Sequence, residues 1–188
     1  MTDEKSILAA KDHVESTYGK LDILINNAGI IDTRQDVPTI DILRNTFETN
    51  TFSAAILTEI FEPLLKKSPK PKLIHVSSGQ GSMTLKLDPT SKWSYIRGDP
   101  YRMSKAAMNM LAACHKVNFE EWGCKVYAYD PGFCLTNLTG EEGMKMRVQL
   151  GARPATDPAD GLVDIIVNDK PSIDMEGMLE VDGGKHPW

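Results

Sequence analysis

Residues 21–29 read LDILINNAG, an apolar run that ends in two asparagines, an alanine and a glycine. A short run with β-branched residues and a turn sequence after it is typical of a buried β-strand. An amphipathic helix is predicted before it, from Asp3 to about Tyr18, with Gly19 at the position of a C-terminal cap. A second helix is predicted after it, from just beyond Pro38 to about Lys66. This region is therefore predicted to fold as helix, strand and helix.

The alternation of helices and strands continues towards the carboxyl terminus. The remaining predicted elements are strands at 72–76, 125–129 and 178–181, a long loop at 77–100, a helix at 101–122, and short helices at 140–149 and 157–167. Such strands need crossover connections, and right-handed crossovers place them parallel in one sheet with helices on both faces. We therefore predict a single α/β domain over residues 1–188, built on a doubly wound parallel sheet.

The composition is that of an ordinary globular protein, with 41% hydrophobic and 25% charged residues among 188. Its net charge of −5 argues against binding to nucleic acid or anionic membranes, because both need a basic surface. Cys114, Cys124 and Cys134 are odd in number and lack a CxxC spacing, so neither a disulfide framework nor a metal site is predicted. The sequence shows neither a secretory signal nor an apolar run of membrane-spanning length, and a cytoplasmic location is expected.

Tyr101 and Lys105 stand four residues apart at the start of a predicted helix, which places them on one face. The pKa of a free tyrosine is about 10, and a cation within about 4 to 6 Å lowers the pKa of an acid by roughly 1 to 3. A tyrosine activated in this way can exchange a proton with a carbonyl or alcohol oxygen. Taken alone, the pair also fits a solvated lysine beside a half-buried ring.

Two further polar residues favour a catalytic interpretation of this pair. Ser78 follows a predicted strand and can donate a hydrogen bond to a developing oxyanion. Asn50 lies well inside a predicted helix, where an amide indicates hydrogen bonding rather than helix propensity. Together with Tyr101 and Lys105 they form a candidate catalytic set.

With these residues in this order, the sequence resembles the short-chain dehydrogenase/reductase family over essentially its whole length. The resemblance implies a Rossmann-like fold. The positions that match the motifs of that family are, in chain order, the NNAG turn at Asn26–Gly29, the helix asparagine Asn50, the strand-end serine Ser78, the YxxxK pair Tyr101 and Lys105, the PGxxxT segment Pro131-Gly132 with Thr136, and the DGG sequence Asp182–Gly184.

By this resemblance the chain is expected to move a hydride between NAD(P)H and a carbonyl or secondary alcohol. Tyr101 would be the acid/base, Lys105 would lower its pKa and hold the nicotinamide ribose, and Ser78 would orient the substrate oxygen. Asn50 would hold a water that links Lys105 to solvent. The cofactor-binding residues that the resemblance implies are Asn26, Ala28, Gly29, Tyr101, Lys105, Pro131, Gly132 and Thr136.

The resemblance also implies the partners. The cofactor is expected to be NADP or NAD, with NADP favoured, and the substrate a small carbonyl or alcohol compound. Met144, Met146 and Leu150, together with the loop that follows Ser78, indicate a lipophilic substrate pocket. A homo-oligomer, either a dimer or a tetramer, is expected because the two long helices commonly form the dimer contact in this family.

The interval from Ser78 to Tyr101 is longer than is usual in the family, and an inserted loop near the substrate is expected there. Tyr95, within this interval, is a rival for the active tyrosine. Position 99 holds Asp99 rather than a lysine, so Tyr101 is preferred. His75 is predicted to be packed rather than catalytic.

One motif of the family has no counterpart in these 188 residues. The family opens with a strand and a glycine-rich turn of TGxxxGxG type, which holds the cofactor pyrophosphate. We therefore expect an N-terminally truncated sheet that lacks three strands and two helices, with the strand at 21–25 as an apolar edge. Two alternatives follow from this expectation. The chain could be a catalytically impaired fragment that acts only as a dimerising or binding module, or its start codon could be misplaced.

Overall fold

One five-stranded sheet organises residues 3–188, the part of the chain that this computed structural model describes. The first four strands run parallel and the last is antiparallel to its neighbour. Across the sheet the strands follow chain order as β1 (Ile23–Asn26), β2 (Lys72–Val76), β3 (Lys125–Asp130), β4 (Met178–Glu180) and β5 (Lys185–His186). The predicted α/β architecture is confirmed.

One helix precedes the first strand, and the other helices lie between the parallel strands. They are α1 (Glu4–Tyr18), α2 (Thr39–Phe47), α3 (Ser53–Leu65), α4 (Met83–Leu87), α5 (Asp99–Asn118), α6 (Gly140–Gln149) and α7 (Thr156–Val167). Asp3 caps α1 by accepting a hydrogen bond from the Lys5 backbone N–H at 3.1 Å, and Gly19 ends that helix with a φ of 72°. Within residues 3–188, no helix is both long and apolar enough to cross a bilayer.

Several boundaries differ from the sequence prediction. The strand predicted at 21–25 is observed at Ile23–Asn26, and the loop predicted at 77–100 contains a 3₁₀ turn at Gly79–Gly81 and the short helix α4. The long predicted helix spans α2 and α3, which are joined through a π-helical segment at Glu48–Phe52. Helix α5 begins at Asp99 rather than at residue 101, because Pro100 suits the first turn of a helix, where its missing N–H leaves no bond unmade. It ends at Asn118 and is followed by a 3₁₀ turn. The two-residue strand β5 was not predicted.

Apolar side chains cover both faces of the sheet, as the doubly wound prediction requires. On one face, a cluster joins β1, β2, β3 and β4 to α1, α3 and α5; its buried members are Ile7, Leu24, Phe61, Leu64, Leu65, Leu73, Ala112, Phe119, Cys124, Val126, Ala128, Ile173 and Met178. On the other face, Ile74, Tyr127 and Tyr129 pack against Ile165 of α7. In this part of the chain β1 is an edge strand, and its Ile25 is 39% exposed.

The strand register brings the predicted site residues to one edge of the sheet. Asn26 at the end of β1 is paired with His75, and Val76 at the end of β2 is paired with Tyr129. The loops after β1, β2 and β3 therefore leave the sheet side by side, at the carboxyl ends where ligands bind in folds of this class.

Candidate active site

A cavity of about 440 Å³ opens where these three loops leave the sheet. Eight of the ten predicted site residues line it, and the other two, Asn26 and Asn50, do not. The lining residues are Asn27, Ala28, Gly29, Ile30, Thr49, Val76, Ser77, Ser78, Tyr101, Lys105, Asp130, Pro131, Gly132, Cys134, Thr136, Asn137, Leu138 and Arg147. The sequence-predicted set is thus largely brought together around one space.

Asn50 fixes the loop after β1 to the helix that carries the tyrosine and lysine. Its Oδ1 accepts from the Ile30 N–H at 2.7 Å, and its Nδ2 donates to the Ile30 carbonyl at 3.0 Å and to Ser104 Oγ at 2.9 Å. It lies in the π-helical segment, a distortion that is frequent at functional sites. Both amide hydrogens are used by protein partners, so a water held by Asn50 would have to donate to Oδ1.

The turn after β2 places Ser78 against the helix α5. A Cβ on Gly81 would lie 2.6 Å from the backbone carbonyl carbon of Lys105, so only glycine allows this close approach. Ser78 begins the 3₁₀ turn at Gly79–Gly81, and its Oγ accepts from the Gln80 N–H at 3.2 Å. The serine hydroxyl is held beside the first turns of α5 as a result.

Lys105 is almost fully buried, with 3% of its surface exposed. Its Nζ donates to the Val76 carbonyl at 2.8 Å and lies 5.7 Å from the centroid of the Tyr101 ring. Burial lowers the pKa of Lys105 to about 8, and the nearby Asp130 carboxylate opposes this effect. The strand-end carbonyl of Val76 is therefore the hydrogen-bond partner of this ammonium.

Tyr101 lines the same cavity and is 7% exposed. Burial raises the pKa of its phenol well above the ordinary value, the Asp130 carboxylate adds to this, and the nearby Ser78 hydroxyl partly offsets it. The sequence led us to expect that Lys105 lowers this pKa. In this structure desolvation of the phenol prevails, and the Lys105 ammonium is bonded to the Val76 carbonyl, so the lowering of the tyrosine pKa by Lys105 stays a prediction.

Asp130 is a buried charge that the sequence indicated only as the end of a strand. Its Oδ2 accepts from the Gly79 N–H at 2.8 Å and lies 3.1 Å from His186 Nε2, while its Oδ1 accepts from the Gly132 N–H at 2.9 Å. The hydrogen bond with Asp130 raises the pKa of His186. This carboxylate ties together the loops after β2 and β3 and the strand β5.

Asn26 lies behind the cavity rather than along it. Its Nδ2 donates to Thr58 Oγ1 at 2.9 Å and lies 3.2 Å from His75 Nδ1. His75 is fully buried, and burial lowers its pKa to about 3, so it stays neutral. His75 is therefore packed. Asn26, the first residue of the NNAG turn, is held by Thr58 and His75 rather than facing the cavity.

The long loop after Ser78 is held by one arginine of α5. Arg102 is buried and donates to the carbonyls of Gln80 and Ile96, each at 3.1 Å, and to the carbonyl of Trp93. Tyr95 in this loop is 78% exposed, and its hydroxyl donates to the Pro89 carbonyl at 3.0 Å. Tyr95 does not line the cavity, which agrees with the preference for Tyr101.

The expected lipophilic lining from α6 is not found. Met146 and Leu150 are 53% and 65% exposed, and neither they nor Met144 line the cavity. The residue of α6 that does line it is Arg147, which no motif in the sequence indicated. Over residues 3–188 there is no cluster of three or more histidine, cysteine or acidic residues that could hold a metal.

Comparison with known proteins places this site in a family context. Residues 1–147 match the family model described as short chain dehydrogenase. The chain is 41% identical over 159 residues to the short-chain dehydrogenase anuI of Penicillium roqueforti, an alignment that covers 82% of this chain and 63% of that protein. It is 30% identical over 201 residues to the short-chain dehydrogenase/reductase tropE of Talaromyces stipitatus, covering all of this chain and 74% of that protein.

Among solved structures, the NADPH-bound carbonyl reductase from chicken fatty liver superimposes with a TM-score of 0.81 at 30% identity. That match covers 100% of this chain and 74% of the other. The chain spans less than two thirds of two of its curated relatives, 63% of the Penicillium protein and 47% of a short-chain dehydrogenase/reductase of Aspergillus fumigatus.

Proposed function

The chain belongs to the short-chain dehydrogenase family, and we propose that it is an oxidoreductase that uses NAD(P)H to reduce a small carbonyl compound. The observation that carries this proposal is the convergence of Ser78, Tyr101 and Lys105 on one cavity at the carboxyl ends of the strands. These three side chains come from two separate elements, and the fold brings them together.

The residues of the cavity fit a nicotinamide nucleotide. The cavity volume of about 440 Å³ lies within the range of small-molecule binding sites. Gly29 presents backbone to it, with Asn50 Oδ1 and Lys105 Nζ each 3.5 Å from the position of an added Cβ. Lys105 would hold the ribose, and Ala28, Gly29, Pro131, Gly132 and Thr136 would lie along the cofactor. NAD(P)H, when bound, supplies the hydride.

Tyr101 acts as the general acid in this proposal. Because burial raises its pKa, the phenol is protonated at neutral pH and can donate to the substrate oxygen as negative charge develops there. Ser78 orients that oxygen and stabilises the charge. The positive charge of Lys105 then stabilises the tyrosinate that remains, and a water on Asn50 returns a proton towards it.

NADP is proposed as the preferred cofactor, supported by the NADPH that is bound to the similar carbonyl reductase from chicken. A homodimer or tetramer is also proposed. Its support is a set of exposed apolar side chains on the long helices and the segment between α2 and α3, namely Phe52, Ile56, Met103, Met110 and Val117, which are 42% to 71% exposed. A second copy of the chain that covered them would remove this apolar surface from water.

The first experiment is a fluorescence titration of the purified chain with NADPH and NADH, followed by an assay of NADPH oxidation with a panel of ketones and aldehydes. Saturable binding and carbonyl-dependent oxidation are expected. A chain that forms dimers on a sizing column but binds neither cofactor would instead favour the alternative function, a dimerising or binding module without catalysis.

A further inference from the structure

Arg147 is a buried charge that the proposed reaction does not use. It lies on α6, lines the cavity and is only 8% exposed. Long basic side chains are rarely buried to this extent unless a partner compensates the charge. The surroundings of its guanidinium therefore indicate what the side chain is for.

Protein groups accept hydrogen bonds from only two of the three nitrogens of this guanidinium. Its Nη1 donates to the Cys134 carbonyl at 3.0 Å, its Nε donates to Thr139 Oγ1 at 3.3 Å, and its Cζ lies 5.1 Å from the centroid of the Phe133 ring. Across residues 3–188, no carboxylate lies within 4.0 Å of it, and its Nη2 has no hydrogen-bond acceptor. Nη2 is not sealed inside the protein either, since it is absent from the fully buried atoms that lack a partner.

The charges around the cavity do not balance. Two buried cations, Lys105 and Arg147, line it together with one carboxylate, Asp130. Both oxygens of Asp130 are already engaged by Gly79, Gly132 and His186. The space is therefore positively charged, and an anion that entered it would be attracted.

Arg147 lines the same cavity as Tyr101. Its charge acts on the Tyr101 phenol, in the direction that lowers the phenol pKa. A guanidinium presents its N–H groups in a planar fork that matches the two oxygens of a carboxylate or a phosphate. The unused donors of Arg147 are of this kind.

We propose that Arg147 binds an anionic oxygen group of a ligand in this cavity. The group is either a carboxylate carried by the carbonyl substrate or a phosphate of the dinucleotide, and the assignment to these two sources rests on the proposed function. In the first case the substrate class is an oxo acid, in the second Arg147 anchors the cofactor. The binding itself requires only the cavity and its charge.

The test uses the whole chain and three variants. Arg147→Met removes the charge, Arg147→Lys keeps it without the fork, and Arg44→Met removes an exposed arginine of α2 as the charge-matched control. Circular dichroism and thermal unfolding establish that each variant is folded. Calorimetry then measures binding of three probes, which are inorganic pyrophosphate, phenylglyoxylate and the neutral methyl ester of phenylglyoxylate, and of NADPH.

A phosphate role predicts that pyrophosphate and NADPH bind at least about tenfold more weakly to Arg147→Met, the effect of losing one charge-assisted hydrogen bond. A substrate role predicts that the wild-type chain prefers phenylglyoxylate to its ester by a similar factor and that Arg147→Met loses this preference. In both cases Arg147→Lys should be intermediate and Arg44→Met unchanged.

The proposal fails if folded Arg147→Met binds every anionic probe as tightly as the wild-type chain does. It fails as well if the wild-type chain neither binds pyrophosphate nor binds phenylglyoxylate more tightly than the methyl ester. These measurements use the wild-type chain alone, so they test the proposal even if Arg147→Met does not fold. Because pyrophosphate and the acid are measured without cofactor or turnover, failure to bind NADPH would contradict the proposed function without affecting this result.

Discussion

Two regions that share the strand β2 follow opposite physical rules. In the middle of the strand, Leu73 and Ile74 point to opposite faces of the sheet and are fully buried among apolar side chains. Two residues beyond the end of β2, Ser78 lines a cavity together with the charged side chains of Lys105 and Asp130. Stability and chemistry are therefore separated along one strand by about four residues.

The separation has an energetic basis. The apolar layer gains free energy from every group it removes from water. Burying Lys105 and Asp130 costs free energy, because both are desolvated. Hydrogen bonds to the Val76 carbonyl and the Gly79 N–H, and the contact of Asp130 with His186, offset this cost in part. The layer between sheet and helices therefore offsets the cost of holding charged groups in the site.

The largest difference between an effect on activity and an effect on stability is expected for Tyr101→Phe. The change removes the proposed acid and leaves the buried ring, so carbonyl reduction should fall by about 10²- to 10⁴-fold, the usual contribution of general acid–base catalysis. The free energy of unfolding should stay within about 1 kcal/mol of the wild-type value, since only one hydroxyl is lost. Steady-state kinetics and urea unfolding measure the two quantities.

The matched control for this change is Tyr95→Phe, which removes a hydroxyl from an exposed ring outside the cavity. It is expected to keep full activity. If Tyr95→Phe were inactive and Tyr101→Phe active, the assignment of the acid would be wrong.

Leu73→Ala should give the opposite pattern. Leu73 is fully buried in the layer between the sheet and the helices. Its truncation leaves a cavity, and destabilisation by about 2 to 5 kcal/mol is expected, while the activity per folded molecule stays close to wild type. Denaturant unfolding gives the first value and active-site titration with cofactor the second. Leu87→Ala, at a site that is 81% exposed, is the control and should change neither.

The apolar layer was also the part most accessible from the sequence. Leu73, Ile74 and their counterparts in β1 and β3 fall in short apolar runs, and periodicity reports burial directly. The order of strands and helices followed from those runs together with the rule of right-handed crossovers. The strand β5 did not follow, because two residues are too short to show a period.

The cavity was accessible mainly through motifs, and only in part. Tyr101, Lys105 and Ser78 were indicated by their spacing and their places after predicted elements, and the resemblance to a family pattern strengthened that indication. Asp130 and Arg147 were not found, because a buried charge is recognised by its partners, and these partners are backbone groups distant in sequence, such as the Gly79 N–H and the Cys134 carbonyl. The π-helical turn around Asn50 likewise depends on contacts with another helix.

Asn50 joins the loop after β1 to the helix α5, and Asn50→Ala should therefore affect both activity and stability to an intermediate degree. The change leaves the N–H and C=O of Ile30 without their partners, and loss of about 1 to 3 kcal/mol of stability is expected. Activity should fall as the loop after β1 loosens beside Lys105. Asn118→Ala, at an exposed helix end, is the control. Unchanged activity in a destabilised Asn50→Ala would assign this residue to the scaffold alone.

The smallest effect concerns His186, which lies outside the cavity lining, with its Nε2 3.1 Å from an oxygen of Asp130 and 3.1 Å from an oxygen of Glu180. The nearby charge of Lys92 opposes its protonation. Its pKa is raised in the folded state, mainly by the hydrogen bond with Asp130, above an unfolded value of about 6.5. The folded protein therefore binds this proton more tightly than the unfolded chain. The resulting stabilisation is fully present below about pH 6.5 and is lost as the pH rises through the folded pKa.

His186→Gln should remove that pH dependence. The difference in the free energy of unfolding between wild type and variant is expected to be about 1 kcal/mol or less, and larger at about pH 5.5 than at about pH 9. Urea unfolding at both pH values measures it, with His13→Gln on the exposed side of α1 as the control. If the difference in the free energy of unfolding instead grew with pH, the neutral imidazole rather than the charged one would stabilise the contact with Asp130.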